Sequence, residues 1–247
     1  MGSDNIKRTE IVKNREKRQA RKLSRKTQNR TSIPRILIVT EGLTEEIYFK
    51  TLKRNLKLNS VKIIKSSYTD SNGIVQDAKN NGIKSIDDHD EYNYIFCVFD
   101  LDTVKNKQFL SNIEKYNTKY EKFNSIIYPI LTFPCIEFWF ILHYNCHIAP
   151  FSNSRNRSVG ENTKIELKKY QGDYHETNYE CIDELASKYK TAMHNAGALM
   201  KQQINCSSSN PITNVHQLVT LLHNIYSRTQ DYKYQKELDD FLLSNIN

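Results

Sequence analysis

The sequence predicts an α/β protein with a doubly wound, mostly parallel sheet and a helical C-terminal subdomain. Two observations predict this fold. Short apolar runs alternate with helical patterns as far as residue 131, which is typical of βα units that build a parallel sheet. After Phe133 the predicted elements are helices only. We therefore expect three parts, which are a basic tail over 1–33, an α/β domain over 34–146 and a helical subdomain over 147–247.

The predicted α/β domain consists of four strands and the helices that connect them. The strands are predicted over 35–40, 61–66, 94–99 and 125–131, and the helices over 44–58, 73–84 and 107–123. In the first helix, Tyr48, Leu52 and Leu56 recur every four residues and form its buried face. The run 94–99 is apolar at every position, which predicts a central strand that helices cover on both faces.

The predicted subdomain contains helices separated by polar loops. An apolar helix over 135–144 precedes a loop over 145–163 that is rich in Asn, Ser and Arg. One long helix is then predicted from the buried stripe Ile182, Leu185, Ala186, Tyr189, Met193, Ala196 and Met200. Pro211 is predicted to open a further helix, and a last helix is predicted over 234–243.

The positive charge of the chain lies in its first 30 residues. They hold eleven Lys and Arg against three acidic residues, and this excess equals the net charge of +8 of the whole chain. A segment this polar buries too little surface to offset its ordering entropy, so we predict disorder there. Its attraction for phosphate makes it a candidate nucleic-acid contact, and a solvated tail or a docking arm for an acidic protein is the alternative. The candidate contacts are Arg18, Arg21, Lys22, Arg25 and Lys26.

Cysteine usage and hydropathy predict where the protein works. The five cysteines form no CxxC pair, and no apolar leader precedes them, so we expect a reducing compartment and no disulfide framework. The apolar runs are shorter than the roughly 20 residues that span a bilayer. The sequence therefore predicts a cytoplasmic protein without a membrane partner.

Acidic residues follow two of the predicted strands directly. Glu41 and Glu45 come after the strand over 35–40, and Asp100 and Asp102 come after the strand over 94–99. Because the carboxyl ends of parallel strands meet at one crevice, these carboxylates can converge on a divalent cation such as Mg²⁺, with Mn²⁺ as a substitute. Glu45 and Glu46 could instead simply occupy the first turn of a helix, where carboxylates are favourable, and this interpretation is preferred for Glu46. The Asp-x-Asp pair could instead belong to an ordinary turn.

Two further groups of polar residues lie in or beside the apolar helix. Glu137 is flanked by apolar residues, so it must be exposed, paired with a base or bound to a ligand. A structural ion pair is the main alternative to a metal ligand. His143, Cys146 and His147 resemble part of a zinc site, but no second pair of ligands follows them at a suitable spacing. A zinc site is therefore not predicted.

Three sequence runs resemble a known family. They read VTEGxTExxYF over 39–49, PCxExWxxLH over 134–143 and NPxTxVHxLV over 210–219, with Phe133 where this family usually has Asn before Pro. Glu41 and the pair Asp100 and Asp102 resemble the Toprim arrangement of topoisomerases, bacterial primases and OLD-type nucleases. More specifically, the chain resembles the RloB family of phage-defence (abortive-infection) proteins.

The resemblance implies a Toprim-like domain over 34–146 and a metal-dependent nuclease that acts on DNA or RNA, tRNA included, beside an AAA- or ABC-type ATPase partner. In that mechanism Glu41, Asp100 and Asp102 are catalytic and hold one or two Mg²⁺ ions. Glu45 and Glu137 are candidates for the second metal or its water. Lys169 is a candidate phosphate contact, and a solvated surface lysine is the alternative.

Two other functions compete with a nuclease. The run Val98 to Thr103 also resembles the motif of haloacid-dehalogenase-type phosphatases, in which Asp100 would attack phosphorus. That fold needs a later strand-end pair of acids, whereas Asp239 and Asp240 lie in a helical pattern. The other alternative is a nucleic-acid-binding scaffold without catalysis. The chain has no Walker A motif, so any ATP dependence is expected to come from a partner.

Overall fold

Five strands form one sheet in the computed structural model, which describes residues 33–88, 90–104, 107–206 and 209–228. The strands are β1 (Ile36–Thr40), β2 (Val61–Lys65), β3 (Tyr94–Asp100), β4 (Ile126–Phe133) and β5 (Ile212–Thr213). Their order is β2-β1-β3-β4-β5, with β5 antiparallel and all other pairs parallel. This order confirms the predicted doubly wound, mostly parallel sheet. The predicted contacts Arg18, Arg21, Lys22, Arg25 and Lys26 and the predicted helix over 234–243 lie outside the described residues.

Eight helices accompany the sheet within the described residues. They are α1 (Leu43–Asn55), α2 (Ser71–Asp87), α3 (Gln108–Tyr120), α4 (Ile136–Ile141), α5 (Val159–Lys168), α6 (Tyr179–Ser187), α7 (Tyr189–Cys206) and α8 (Val215–Arg228). A single 3₁₀ turn, Glu121–Phe123, follows α3 and ends at Asn124, whose φ of 51° is left-handed. None of the helices described here is long and apolar enough to cross a membrane.

The central strand β3 is buried along almost its whole length, as its apolar run predicts. Ile95, Cys97 and Phe99 belong to one apolar cluster with residues of α2 and α3. Phe96 and Val98 point to the opposite face and are also buried. Both faces of β3 are therefore covered, and burial decreases at its carboxyl end, where Asp100 is partly buried and Asp102 is exposed.

Strand β5 contradicts the prediction of helices only after Phe133. Thr213 pairs with Thr132 of β4, and their hydroxyl groups are 3.0 Å apart. The Asn214 side chain accepts from the Leu131 N–H at 2.6 Å and donates to the Pro129 carbonyl at 3.3 Å. These contacts place the segment after Pro211 on the sheet. The prediction that Pro211 opens a helix is therefore wrong, and α8 begins at Val215.

Two predicted boundaries in the C-terminal part are also wrong. Helix α5 begins inside the predicted loop over 145–163, where Ser158 and Glu161 form a capping box that satisfies the exposed N–H groups of its first turn. The single long helix is divided at Lys188 into α6 and α7. After this break the buried stripe changes register, so Leu199 is buried whereas Met200 is 41% exposed.

Candidate metal centre

The carboxyl ends of β1 and β3 bring Glu41 and Asp100 together. These neighbouring strands pair in register, with Thr40 opposite Val98. The backbone N–H of Asp100 donates to Glu41 Oε2 at 3.3 Å, and the Thr103 hydroxyl donates to Glu41 Oε1 at 3.2 Å. The strand order reverses between β1 and β3, and doubly wound folds bind ligands at this point.

Glu45 reaches the same place from the first turn of α1. It is 3% exposed, and a Cβ atom at Gly42 would lie 2.6 Å from its Oε2. Glycine at position 42 thus leaves room for the Glu45 carboxylate beside the turn that leaves β1. Glu46, on the next position of α1, instead pairs with Lys50 at 2.7 Å one helical turn away. The structure therefore separates the two neighbouring glutamates into a buried group and a partly buried group that is paired with a lysine.

The chain turns sharply after Asp100. The Leu101 N–H donates to the Thr132 carbonyl at 2.8 Å, and the Asp102 N–H donates to the Pro134 carbonyl at 3.2 Å. These bonds attach the turn to the end of β4. Asp102 is exposed, whereas Asp100 Oδ1 is buried and has no hydrogen-bond partner among the described residues. A buried, unsatisfied carboxylate oxygen is uncommon in native proteins, and its presence here marks Asp100 as a candidate ligand.

Glu137 comes from the first turn of α4 and is 2% exposed. Its Oε1 accepts a hydrogen bond from the Tyr174 hydroxyl at 2.9 Å and lies 3.9 Å from Lys164 Nζ. Lys164 makes its closer ion pair with Glu176. Glu137 therefore has a base nearby, as the ion-pair alternative requires, but this base is shared with a second carboxylate.

The carboxylates of Glu41, Glu45, Asp100, Asp102 and Glu137 influence one another electrostatically. Burial and the charges of Glu137 and Glu41 raise the pKa of Glu45 from 4.5 to about 7. Burial and the other four carboxylates raise the pKa of Asp100 well above its usual range. Burial also raises the pKa of Asp102 and of Glu41. We call these five residues the carboxylate cluster.

Helix α5 borders the carboxylate cluster, which the sequence did not indicate. A Cβ atom at Gly160 would lie 2.7 Å from Asp102 Oδ2 and 3.8 Å from the Cys135 sulfur. Burial and the charge of Glu137 raise the pKa of Asp102. The positive charge of Lys164, which lies one turn further along α5, acts in the opposite direction and lowers this pKa. The signal for this helix in the sequence is the capping box of Ser158 and Glu161, which stands ahead of the first helical turn.

The remaining candidates lie in other surroundings. Lys169 follows the last residue of α5, is exposed and pairs with Glu166. His143 is buried, with its ring nitrogens 3.1 Å from the Tyr48 hydroxyl and 3.0 Å from the Trp139 carbonyl oxygen. Cys146 donates to the Asn195 carbonyl, and the His147 ring stacks on Phe151. The three residues that resembled part of a zinc site thus have separate structural partners.

The donor set of the carboxylate cluster suits a hard cation. All five side chains offer oxygen atoms, which Mg²⁺ prefers, and the unsatisfied Asp100 Oδ1 offers a free acceptor. With the side chains placed as they are, no three His, Cys, Asp or Glu residues of the described ranges form a group that could hold a metal ion. A cation would therefore have to draw the carboxylates closer together.

The fold and the carboxylate cluster define a class, a doubly wound α/β protein with acidic side chains gathered where the strand order reverses. Residues 36–222 match the family model described as RloB-like protein. The chain belongs to the RloB-like family, as its sequence runs predict. No curated protein and no solved structure matches the chain significantly.

Proposed function

We propose that this protein is a metal-dependent nuclease that hydrolyses phosphodiester bonds in DNA or RNA with Mg²⁺ held by the carboxylate cluster. The observation that carries the proposal is Asp100, whose Oδ1 is buried without a hydrogen-bond partner in the described structure and whose pKa is raised by burial and by the charges of four other carboxylates. Gathering like charges away from water is unfavourable without a counter-charge. A divalent cation would compensate the repulsion between these carboxylates, so metal binding explains why they lie together.

In this proposal Glu41, Asp100 and Asp102 hold the cation, and Glu45 and Glu137 complete the site. A bound Mg²⁺ would supply Lewis-acid stabilisation of the charge that develops on the phosphate oxygens. The protein contributes by orienting two of these carboxylates before a cation binds. The Asp100 N–H and the Thr103 hydroxyl orient Glu41, and the Tyr174 hydroxyl orients Glu137. The arrangement is of the kind that Toprim-like enzymes use, and we propose that relationship as well.

The proposed setting is anti-phage defence under the control of an AAA- or ABC-type ATPase partner. This part of the proposal is supported by the resemblance of the sequence runs to the RloB family of phage-defence proteins. A nuclease needs restraint in the cell that hosts it, and a partner protein is one way to supply it. The chain itself has no Walker A motif, so nucleotide hydrolysis would belong to the partner.

The proposal is tested by incubating the purified full chain with labelled single-stranded DNA, duplex DNA and bulk tRNA in Mg²⁺, Mn²⁺ or EDTA. The matched variants are Asp100→Asn, which alters the cluster, and Glu46→Gln, which alters a glutamate of α1 that is paired with Lys50. We expect cleavage that requires metal, is lost in Asp100→Asn and persists in Glu46→Gln. The substrate that is cleaved identifies the nucleic acid.

A second measurement tests the metal centre even if the enzyme is inactive without its partner. Mn²⁺ binding to wild-type protein and Asp100→Asn is followed by electron paramagnetic resonance, which does not depend on turnover. Binding in the wild type that Asp100→Asn weakens would support the metal centre even where no cleavage occurs. Tight nucleic-acid binding with neither metal binding nor cleavage, also after addition of the ATPase partner, would refute the proposal in favour of a scaffold.

A further inference from the structure

Helix α5 places one lysine beside the carboxylate cluster. Gly160 and Lys164 are four residues apart, so they lie on the same face of the helix. Gly160 packs so closely on Asp102 that a Cβ atom would lie 2.7 Å from its carboxylate oxygen. The face of α5 that carries Lys164 is therefore the face that packs on the cluster.

The ammonium group of Lys164 lies between two carboxylates. Its Nζ is 3.9 Å from Glu137 Oε1 and forms a close ion pair with Glu176. The backbone carbonyl of Glu176 accepts a hydrogen bond from the Thr44 hydroxyl at 3.2 Å. Because Thr44 precedes Glu45 in sequence, this bond holds Glu176 at the border of the cluster. The Lys164 side chain is 37% exposed, and its flexible stem leaves the ammonium group free to change partners.

The charge of the carboxylate cluster suggests a function for Lys164. A phosphodiester brings a further negative charge to five carboxylates, and one divalent cation does not neutralise them all. A lysine at the border of the cluster can contact a phosphate as a point charge. Lys169, by contrast, lies beyond the end of α5 and pairs with Glu166. The geometry thus favours Lys164 over Lys169 for this contact.

We propose that Lys164 contacts a phosphate of the nucleic-acid substrate and that Glu176 holds its ammonium group when no substrate is bound. The inference rests on the proposed nuclease function. Substrate would then exchange the ion pair with Glu176 for one with phosphate. Glu176 competes with the substrate, so its loss should strengthen binding, whereas loss of Lys164 should weaken it.

The test compares Lys164→Gln, Lys164→Arg and Glu176→Gln, with Lys169→Gln as the matched control. Each is made in the full chain on an Asp100→Asn background, and its affinity for a labelled oligonucleotide of the cleaved class is measured by anisotropy over a range of salt concentrations. We expect Lys164→Gln to weaken binding about tenfold and to reduce the salt slope by about one. Lys164→Arg should retain the slope, and Lys169→Gln should stay within about twofold.

Glu176→Gln gives the opposite sign, which a merely structural role would not produce. We expect it to tighten oligonucleotide binding roughly two- to fivefold, the range for release of a partly exposed ion pair. An unchanged affinity and salt slope in Lys164→Gln would overturn the inference. Weaker binding in Glu176→Gln would also overturn it, because the ion pair would then be structural.

Two readouts in an otherwise wild-type chain separate this inference from the nuclease proposal. Lys164→Gln should keep Mn²⁺ binding and lose cleavage mainly through a higher KM. Wild-type protein that binds Mn²⁺ and cleaves, with Lys164→Gln equal to it in KM, would overturn the role of Lys164 alone. Wild-type protein that neither binds Mn²⁺ nor cleaves with its partner present would overturn both proposals.

Discussion

Helix α1 and the segment 137–143 hold two buried groups of ionisable side chains with opposite surroundings. In the first, Tyr48 and His143 bond to each other, and the second ring nitrogen of His143 lies 3.0 Å from the Trp139 carbonyl oxygen. In the second, burial and the charge of Glu137 raise the pKa of Glu45, and burial together with both carboxylates raises the pKa of Asp100. The first group is satisfied by the protein alone, and the second is not.

This difference teaches how to tell structural polar residues from residues held for a ligand. Burial lowers the pKa of His143 to about 3, so the ring is neutral and needs no counter-ion. Asp100 Oδ1 has no partner in the described structure, and the nearby carboxylates add repulsion. Buried polar groups in native proteins are normally satisfied. Within the described residues three buried side-chain atoms have no hydrogen-bond partner, which are Asp100 Oδ1, Trp139 Nε1 and His216 Nδ1, and Asp100 is the one whose neighbours add like charge.

The largest expected effect comes from breaking the satisfied group. His143→Leu removes the partner of the buried Tyr48 hydroxyl, which should lower the free energy of unfolding by about 1–3 kcal/mol. Urea denaturation measures this loss. The double variant Tyr48→Phe/His143→Leu leaves no unpaired hydroxyl and should cost less than the sum of the two single variants. Strict additivity would show that the two side chains do not depend on each other.

The two groups should also give the unfolding free energy opposite pH dependences in metal-free protein. The folded-state pKa of His143 is lowered from 6.5 to about 3, so only the unfolded chain gains a proton in that range, and stability falls as pH drops from 6.5. The pKa of Glu45 is raised from 4.5 to about 7, so the folded state keeps a proton that the unfolded chain has released. Stability from this group therefore falls as pH rises from 4.5 to 7.

Urea denaturation between pH 4 and pH 8 in EDTA measures both dependences. His143→Leu should flatten the acidic side of the stability profile, and Glu45→Gln should flatten the side that approaches neutrality. Identical profiles for the wild type and both variants would contradict the assignment of these pKa shifts to the folded state.

A smaller effect is expected from relieving the repulsion in the carboxylate cluster. Glu45→Gln removes one buried charge, so at pH 8 the metal-free variant should be more stable than the wild type by on the order of 1 kcal/mol. The same variant should gain less stability from added Mg²⁺, because it has lost a ligand. Thermal unfolding with and without Mg²⁺ measures both. A variant that is less stable than the wild type in EDTA would show that Glu45 has a structural role instead.

Local sequence patterns were sufficient to predict β1 to β4, and the apolar runs of β1 and β3 are continuous or nearly so. The boundaries of β1 and β3 then predict where Glu41 and Asp100 lie, because a residue that follows a parallel strand must stand at the edge of the sheet. Strand β5 has two residues and depends on contacts of Thr213 and Asn214 with a strand some 80 residues earlier. Such a contact leaves no local pattern in the sequence.

The part of the site on α5 could not be predicted for a different reason. Lys164 and Lys169 stand in one run of alternating acidic and basic residues, and nothing local distinguishes a lysine at the cluster from one in solvent. In the structure, the close packing of Gly160 on Asp102 and the proximity of Lys164 to Glu137 distinguish the two lysines. The capping box of Ser158 and Glu161 predicts that a helix starts there, although not which of its faces packs on the protein.

The smallest expected change in stability tests this packing. Gly160→Ala should change the free energy of unfolding by less than about 1 kcal/mol, because alanine favours the helix by roughly that amount and thereby offsets the close contact. The new methyl group would nevertheless lie 2.7 Å from Asp102 Oδ2, so the carboxylate would have to move. We expect Mn²⁺ affinity and cleavage to fall about fivefold while the free energy of unfolding in urea stays nearly unchanged.

The matched control is Gly197→Ala in α7, where nothing lies within 4 Å of the added methyl group and neither metal affinity nor cleavage should change. Equal metal affinity in Gly160→Ala and wild type would mean that the position of Asp102 does not matter to the centre, and the contrast between satisfied and unsatisfied groups would then rest on Asp100 and Glu45 alone.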